Sequence, residues 1–294
     1  MIDAAALLKE TRELVKDLVD DLRRQAESPE ERKRLDDEWE SAKAAGRTAL
    51  GRSDWEAGWL AQVAVAWVLA AVFVRFCEDN GLVPEAQLGG AGERLAEARQ
   101  RRADYLISHP AHDDRHWLTH VFEQFRHYRT TAALFSDRNP MWLMSPSADG
   151  AWEVVGLFTD PGPGEAGSRH DFTDPAWGTR FLGDLYQDLS EHAKKQFALL
   201  QTPEFVEEFI LDRALTPAIG NFGIDTVTLI DPTCGSGHFL LGAFERISRG
   251  KSERHPHRPK RDIAQQTLSQ IAGVDINPFA VAVARFRLML AAMR

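Results

Sequence analysis

The sequence predicts a mostly α-helical first half followed by the opening of a parallel α/β domain, of which two strands can be read. Three observations carry this. Apolar residues recur at helical spacing, with charges between them, from residue 3 to about residue 125. Between residues 145 and 176 the composition turns to Gly, Pro, Ser and Asp, as at a seam between compact parts. From Thr226 to Gly242 an aliphatic, β-branched run ends in an acid and a two-glycine turn, then gives way to helical periodicity. The expected division is a helical domain over 1–144, a linker over 145–176, and a helical lead-in with the first two strands of an incomplete α/β domain over 177–294.

The elements follow in order. Leu7, Leu8, Val15, Leu18, Val19 and Leu22 make an amphipathic helix of residues 3–25. Ser28-Pro29 is a turn with Pro29 at the first position of a second, highly charged helix that reaches about Ala45. Asp54 to Asn80 is the longest apolar helix. Gln62 and Arg75 interrupt its run below the length of a membrane span, so a core helix of a bundle is expected. Asn80-Gly81 supplies its stop. Arg75, Glu78, Asp79 and Asn80 read as a polar network at that helix end in preference to a contact with nucleic acid. Glu93 to Ser108 is a further helix. His109, His112, His116 and His120 follow, and His116 with His120 puts two imidazoles on one helix face. No Glu or Cys at zinc spacing completes a site, so packing through Trp117, Val121, Phe122 and Phe125 is the expected role and no metal is expected.

Residues 145–176 read as a long loop with a short strand at Trp152 to Phe158. Helical pattern resumes at Leu182, Leu185, Tyr186 and Leu189, and Pro203 starts another helix that reaches about Ala218. Val227, Leu229 and Ile230 predict a buried strand with Asp231 at its carboxyl end. Pro232 to Gly237 form a tight turn, and a helix follows from His238 to Ile247. A strand, a glycine loop and a helix N-terminus build a crevice that accepts a polar ligand at the carboxyl edge of a parallel sheet. The stretch from Arg249 to Arg261 concentrates Lys and Arg. Its two prolines mark an exposed excursion, either a solvated loop or a surface for DNA phosphate.

Composition limits the function classes. The 294 residues carry 35 basic and 44 acidic side chains, a net charge of −9, which is unhelpful for a duplex-binding surface unless the basic residues cluster. Two distant cysteines, Cys77 and Cys234, argue against a disulfide framework and for a reducing cytoplasm. Asp3, Lys9 and Glu10 are unlike a signal peptide. The loop after Asp231 is neither a P-loop, since no Gly-Lys-Ser/Thr follows, nor a clear G-x-G-x-x-G.

The run from Asp231 to Leu240, DPTCGSGHFL, resembles the cofactor motif of adenine-specific DNA methyltransferases. Phe197 to Val206, with Gln201-Thr202-Pro203, is similar to the motif that precedes the first strand in those enzymes. Gly273 to Ala280, with Asp275, looks like their second strand and its acidic end. With Phe73 to Leu82, FVRFCEDNGL, in the helical half, the chain resembles PglX-like methyltransferases of BREX phage-defence systems, most like the type 2 form. The resemblance implies a Rossmann-like methyltransferase domain, a cytoplasmic setting and S-adenosylmethionine as cofactor. It implies that Asp231, Pro232, Thr233, Cys234, Gly235, Ser236, Gly237 and Phe239 form the cofactor loop, with Asp231 and the Gly235–Gly237 backbone at the methionine portion. Thr202 and Pro203 would cap that portion from the opposite side. Asp275 would accept the ribose hydroxyls, and Ile276 and Asn277 would border the adenine.

In the resembled enzymes an Asn-Pro-Pro-aromatic motif holds the amino group of a flipped adenine. This sequence contains only Asn139-Pro140-Met141 and Asn277-Pro278-Phe279. The first lies in the helical half, and the second is assigned to the cofactor side or to helix capping. No catalytic residue is therefore expected in this chain. Double-stranded DNA, a C-terminal portion or complementary subunit and other phage-defence proteins are the expected partners of an N-terminal part that is inactive alone. Two alternatives stand beside this reading: a methyltransferase of another substrate, such as a protein glutamine, and a non-catalytic subunit that docks on a partner.

Overall fold

A computed structural model describes residues 2–161, 167–174, 178–189 and 202–294. Backbone contacts divide the chain into two compact units, Met1–Pro175 with Asp188–Ala198, and Ala176–Gln187 with Leu199–Arg294.

The first unit is a helical bundle. α1 (Ala4–Ala26) starts at Asp3, whose carboxylate accepts the N–H groups of Ala5 and Ala6. Ser28 caps α2 (Pro29–Ala44), with Pro29 in the first turn as its fixed φ favours. α3 (Arg52–Asp79) is the axis of the bundle and packs against α1, α2, α5 (Asp114–His127), α6 (Ala148–Thr159) and a 3-10 turn at Pro140–Leu143. It is long and apolar enough to cross a membrane, yet 89 % of its most apolar 18-residue window is buried inside the protein. Cys77 lies in it, free and buried. Gly81, at φ +64°, ends the helix beyond Asn80.

The end of α3 is a buried polar network. Arg75 pairs with Asp79 at 2.9 Å and donates to the Phe158 carbonyl, to Ser168 Oγ at 2.8 Å and to the His170 carbonyl at 3.1 Å. Glu78 accepts the backbone N–H groups of Gln87, Leu88 and Gly89. Asn80 donates to the Phe172 carbonyl at 2.8 Å and accepts the Asp174 N–H. These three side chains tie residues 87–89 and 168–174 to the axis helix, because buried backbone groups must find partners.

The strand expected at Trp152 to Phe158 is instead part of α6. Ser147 Oγ caps it, while Ser147 itself donates to Asp21 of α1 through its N–H at 2.8 Å and its hydroxyl at 2.6 Å. Ala151, Val154, Val155 and Phe158 are buried and Trp152 is exposed, a helical period that Gly150, Gly156 and two valines disguise. Gly150 is needed there, since an added Cβ would lie 2.8 Å from an Asp21 oxygen.

Where α4 (Glu93–Ser108) gives way to α5, His109, His112 and His116 stack rather than converge, and His120 packs on Trp117. His109 and His112 are 4.9 Å apart at 11°, and His112 and His116 are 4.4 Å apart at 9°. Tyr105 Oη lies 2.8 Å from His112 Nδ1. Among the described residues no group of three or more His, Cys, Asp or Glu could hold a metal ion. Burial, then the His116 and His109 rings, hold His112 below the ordinary imidazole range, with Asp113 opposing. Burial and His109 do the same for His120. An unfolded chain therefore binds protons here more readily than the folded one, so acid withdraws stability as pH falls below the unfolded histidine value of about 6.5. Denaturation midpoints at pH 7.5 and 5.5 are expected to differ, and His112→Gln to narrow the difference.

The second unit holds α7 (Arg180–Leu189) as far as Gln187, α8 (Glu204–Phe222), β1 (Leu229–Asp231), α9 (His238–Arg254), α10 (Lys260–Gln270), β2 (Ile271–Gly273) and α11 (Pro278–Met293). α8 runs on through Pro217, whose side is exposed, and stops at Gly223. The strands pair in parallel, Leu229 with Ile271 and Asp231 with Gly273. Among the described residues this pair is the whole of the expected larger sheet. Leu211, Leu215, Ile224, Val227, Ala243 and Ile247 form a core on one side, with Leu229 and Ile271 packed against it. Ile230, expected to be buried, is 65 % exposed, and Val274 is 55 % exposed. By strand alternation both belong to the face opposite that core.

Candidate functional site

β1 and β2 end side by side; β1 ends in Asp231, and Asp275 follows two residues after β2. The Val274 N–H donates to the Asp231 carbonyl and the Cys234 N–H to the Val274 carbonyl, both at 2.9 Å, so the two chains stay paired past the strands. Gly235 then turns at φ +51° and Gly237 at φ +88°, where α9 begins. A Cβ on Gly237 would lie 2.8 Å from Ala284 Cβ of α11, so only glycine satisfies both its backbone and its neighbour. A Cβ on Gly235 would meet nothing within 4 Å, which leaves open space at the loop.

The two acids are held differently. Asp275 accepts the Gly235 N–H at 2.9 Å through one oxygen and the Asn277 N–H at 2.8 Å through the other. It thereby joins the second strand to the glycine loop and keeps lone pairs for further donors. Asp231 Oδ1 accepts the Thr233 N–H at 3.1 Å, whereas Oδ2 is buried with no hydrogen-bond partner. Burial raises the Asp231 carboxyl, the Thr233 N–H opposes this, and the nearby Asp275 charge adds to it. An orphaned buried acceptor beside a second carboxylate fits a cationic donor such as an ammonium group. It does not fit a phosphate, which like charge would repel. Burial, Asp231 and Asp275 push the Cys234 thiol up to about 11. It remains protonated at neutral pH, so it lacks the thiolate needed of a covalent nucleophile.

The structure brings Asp231, Pro232, Thr233, Cys234, Gly235, Ser236, Gly237, Asp275, Ile276 and Asn277 to one end of the paired strands, with Phe239 in the first turn of α9. Two donors expected at a ligand are used within the protein: the Gly235 N–H by Asp275 and the Gly237 N–H by the Cys234 carbonyl at 2.8 Å. Thr202 and Pro203 stand just before α8, with Pro203 as its cap residue. Phe197 to Gln201 lie outside the described residues. Ile276 is 82 % exposed at the tip of the turn. Asn277 caps α11, accepting from Phe279 at 3.0 Å and Ala280 at 3.4 Å. Asn139 likewise caps the 3-10 turn and is buried, which gives it a structural role.

Sequence reasoning missed Tyr186. It was read as one of an apolar stripe, but its hydroxyl accepts from Asn277 Nδ2 at 2.8 Å. The signal was the polar tip on a buried aromatic, which requires a partner. The basic stretch also differs from expectation. Arg249 to Arg254 lie in α9, Lys251 is fully buried and bonded to Gln270, and only residues 255–259 form a loop. That loop lies a helix of 17 residues from Gly237, roughly 25 Å at 1.5 Å per residue.

Residues 221–294 match a family profile described as MmeI, DNA-methyltransferase domain. Over its whole length the chain is 47 % identical to the adenine-specific methyltransferase PglX of Streptomyces coelicolor, of which it spans 25 %. It is 36 % identical over 73 residues, 23 % of this chain, to a predicted type II restriction enzyme and methyltransferase of Methanocaldococcus jannaschii, of which it spans 6 %.

Proposed function

Because the chain is PglX-like from end to end, we propose that it is the cofactor-binding part of an adenine-specific DNA methyltransferase that uses S-adenosylmethionine. The observation that carries this is the pair of strand-end carboxylates, one with an orphaned buried oxygen, beside a glycine loop with open space. When bound, S-adenosylmethionine supplies a methyl group made electrophilic by a positively charged sulfur. Asp231 Oδ2 accepts from the ammonium group of the methionine end. Asp275 accepts from the ribose hydroxyls with the lone pairs left over from Gly235 and Asn277. Ile276 offers its exposed apolar side to the adenine ring, and Thr202 and Pro203 cover the methionine end.

The groups that hold a flipped adenine are not found in these 294 residues. On this reading the chain alone binds cofactor and transfers nothing. On the same reading, double-stranded DNA, target recognition and a BREX-type phage-defence setting in the cytoplasm are proposed for the PglX-type enzyme, of which this chain matches a quarter. Calorimetric titration tests the cofactor: S-adenosylmethionine is expected to bind and ATP not to bind, and the reverse order overturns the reading. Methyl transfer to duplex DNA by this chain without a second polypeptide would refute its catalytic dependence.

A second reading, a docking subunit without catalysis, draws on the exposed Ile230 and Val274, because parallel sheets are normally covered on both faces. Size-exclusion chromatography with and without the remainder of a PglX-like protein separates it: complex formation without cofactor binding favours docking alone.

A further inference from the structure

One helix touches both cofactor loops. α7 presents Gly183, Asp184, Tyr186 and Gln187 within a single turn and a third. Asp184 Oδ1 lies 3.1 Å from His238 Nε2 at the start of α9. Gln187 Nε2 donates to Ser236 Oγ at 3.4 Å. Gly183 leaves the room that Arg287 occupies: a Cβ there would stand 2.2 Å from Arg287 Nη1, the nitrogen that donates to the Ser236 carbonyl at 2.7 Å. These contacts fix the glycine loop. The second loop is reached through Tyr186. Its hydroxyl accepts from Asn277 Nδ2, and the Asn277 N–H donates to Asp275, whose other oxygen takes the Gly235 N–H. The Tyr186 ring is packed edge-on against Phe279 at 5.7 Å and 72° and is 2 % exposed.

We propose that Tyr186 is a positioning residue for the sugar end of the cofactor site, acting on Asp275 through Asn277, and that α7 sets the two loops in mutual register. This rests on the cofactor reading above and adds to it a residue that touches no cofactor. Phenylalanine would keep the contact with Phe279. What phenylalanine loses is the acceptor for Asn277 Nδ2, and with it the constraint on the turn that aims Asp275. A hydrogen bond of this kind is worth about a fivefold to tenfold change in an equilibrium.

The test uses the 294-residue chain and two ligands, S-adenosylhomocysteine and its 2′,3′-dideoxy analogue. Two conservative variants serve: Tyr186→Phe, and Asn277→Ser, which keeps a helix-capping oxygen but is too short to reach Tyr186 and adds no charge. Each is expected to bind S-adenosylhomocysteine about fivefold to tenfold more weakly while binding the dideoxy analogue as the wild type does, so that discrimination between the two ligands shrinks. The unfolding midpoint is expected to fall by a few degrees at most, as for the loss of one hydrogen bond. Equal weakening toward both ligands, or no weakening, overturns the proposal while leaving the cofactor reading intact. Failure of the wild type to bind either ligand overturns the cofactor reading and this proposal with it.

Discussion

Replacing Asp275 by alanine is expected to lower affinity for S-adenosylmethionine roughly 100-fold without unfolding the chain. Two effects combine. A carboxylate that accepts two sugar hydroxyls contributes about 1.5 kcal/mol per hydrogen bond, and every 1.4 kcal/mol is about tenfold. The same carboxylate also holds the Gly235 and Asn277 N–H groups, so its loss loosens the glycine loop as well as the turn. Asp275→Asn retains one acceptor oxygen and is expected to fall between. Titration calorimetry gives the affinities, and far-ultraviolet circular dichroism confirms that the helices persist. Undiminished affinity in Asp275→Ala would remove the second strand from the site.

The largest expected loss of stability is in the helical unit. Arg75→Met strips the buried Asp79 carboxylate of its cation and leaves it the Phe172 N–H at 2.9 Å. It also deprives the Phe158 and His170 carbonyls and Ser168 of a donor. Breaking one side of a buried ion pair costs about 3–5 kcal/mol. At roughly 2–4 °C per kcal/mol for a unit of this size, the bundle's midpoint should fall by about 10 °C or more. The double variant Arg75→Met with Asp79→Leu is expected to recover a substantial part of this, since no unpaired charge remains. Thermal denaturation followed by circular dichroism measures both. A double variant no more stable than the single would show that the carbonyl contacts, rather than the ion pair, hold the residues around 158 and 170.

How much was legible follows the range of the interactions. The apolar period of residues 3–25 and the Ser28-Pro29 turn act over a few residues, and α1 and α2 fall close to where they predict. The acid-ended strand and two-glycine turn also declare themselves locally, because positive φ at Gly235 and Gly237 is a backbone demand that composition records. α6 was hidden because its cap Ser147 is anchored by Asp21, 126 residues away, and because its valines and glycines argue locally for something else. Ile230 was misjudged for a similar reason. An apolar strand residue looks buried, but whether its face is covered depends on neighbours the sequence around it does not describe. Tyr186 could not be placed at all, since its partner Asn277 stands 91 residues on. Long-range polar pairs carry no period.

The two native thiols lend themselves to use as reporters. Each compact unit holds one, Cys77 in the axis helix and Cys234 in the glycine loop, and both are buried and held in the unreactive form. A thiol-specific reagent should therefore leave the native chain unmodified and then mark whichever half opens first under denaturant. The order in which the two sites become labelled would rank the stabilities of the helical bundle and the strand-bearing unit without any engineered probe. It would also show directly whether a ligand that protects Cys234 leaves Cys77 as exposed to attack as before.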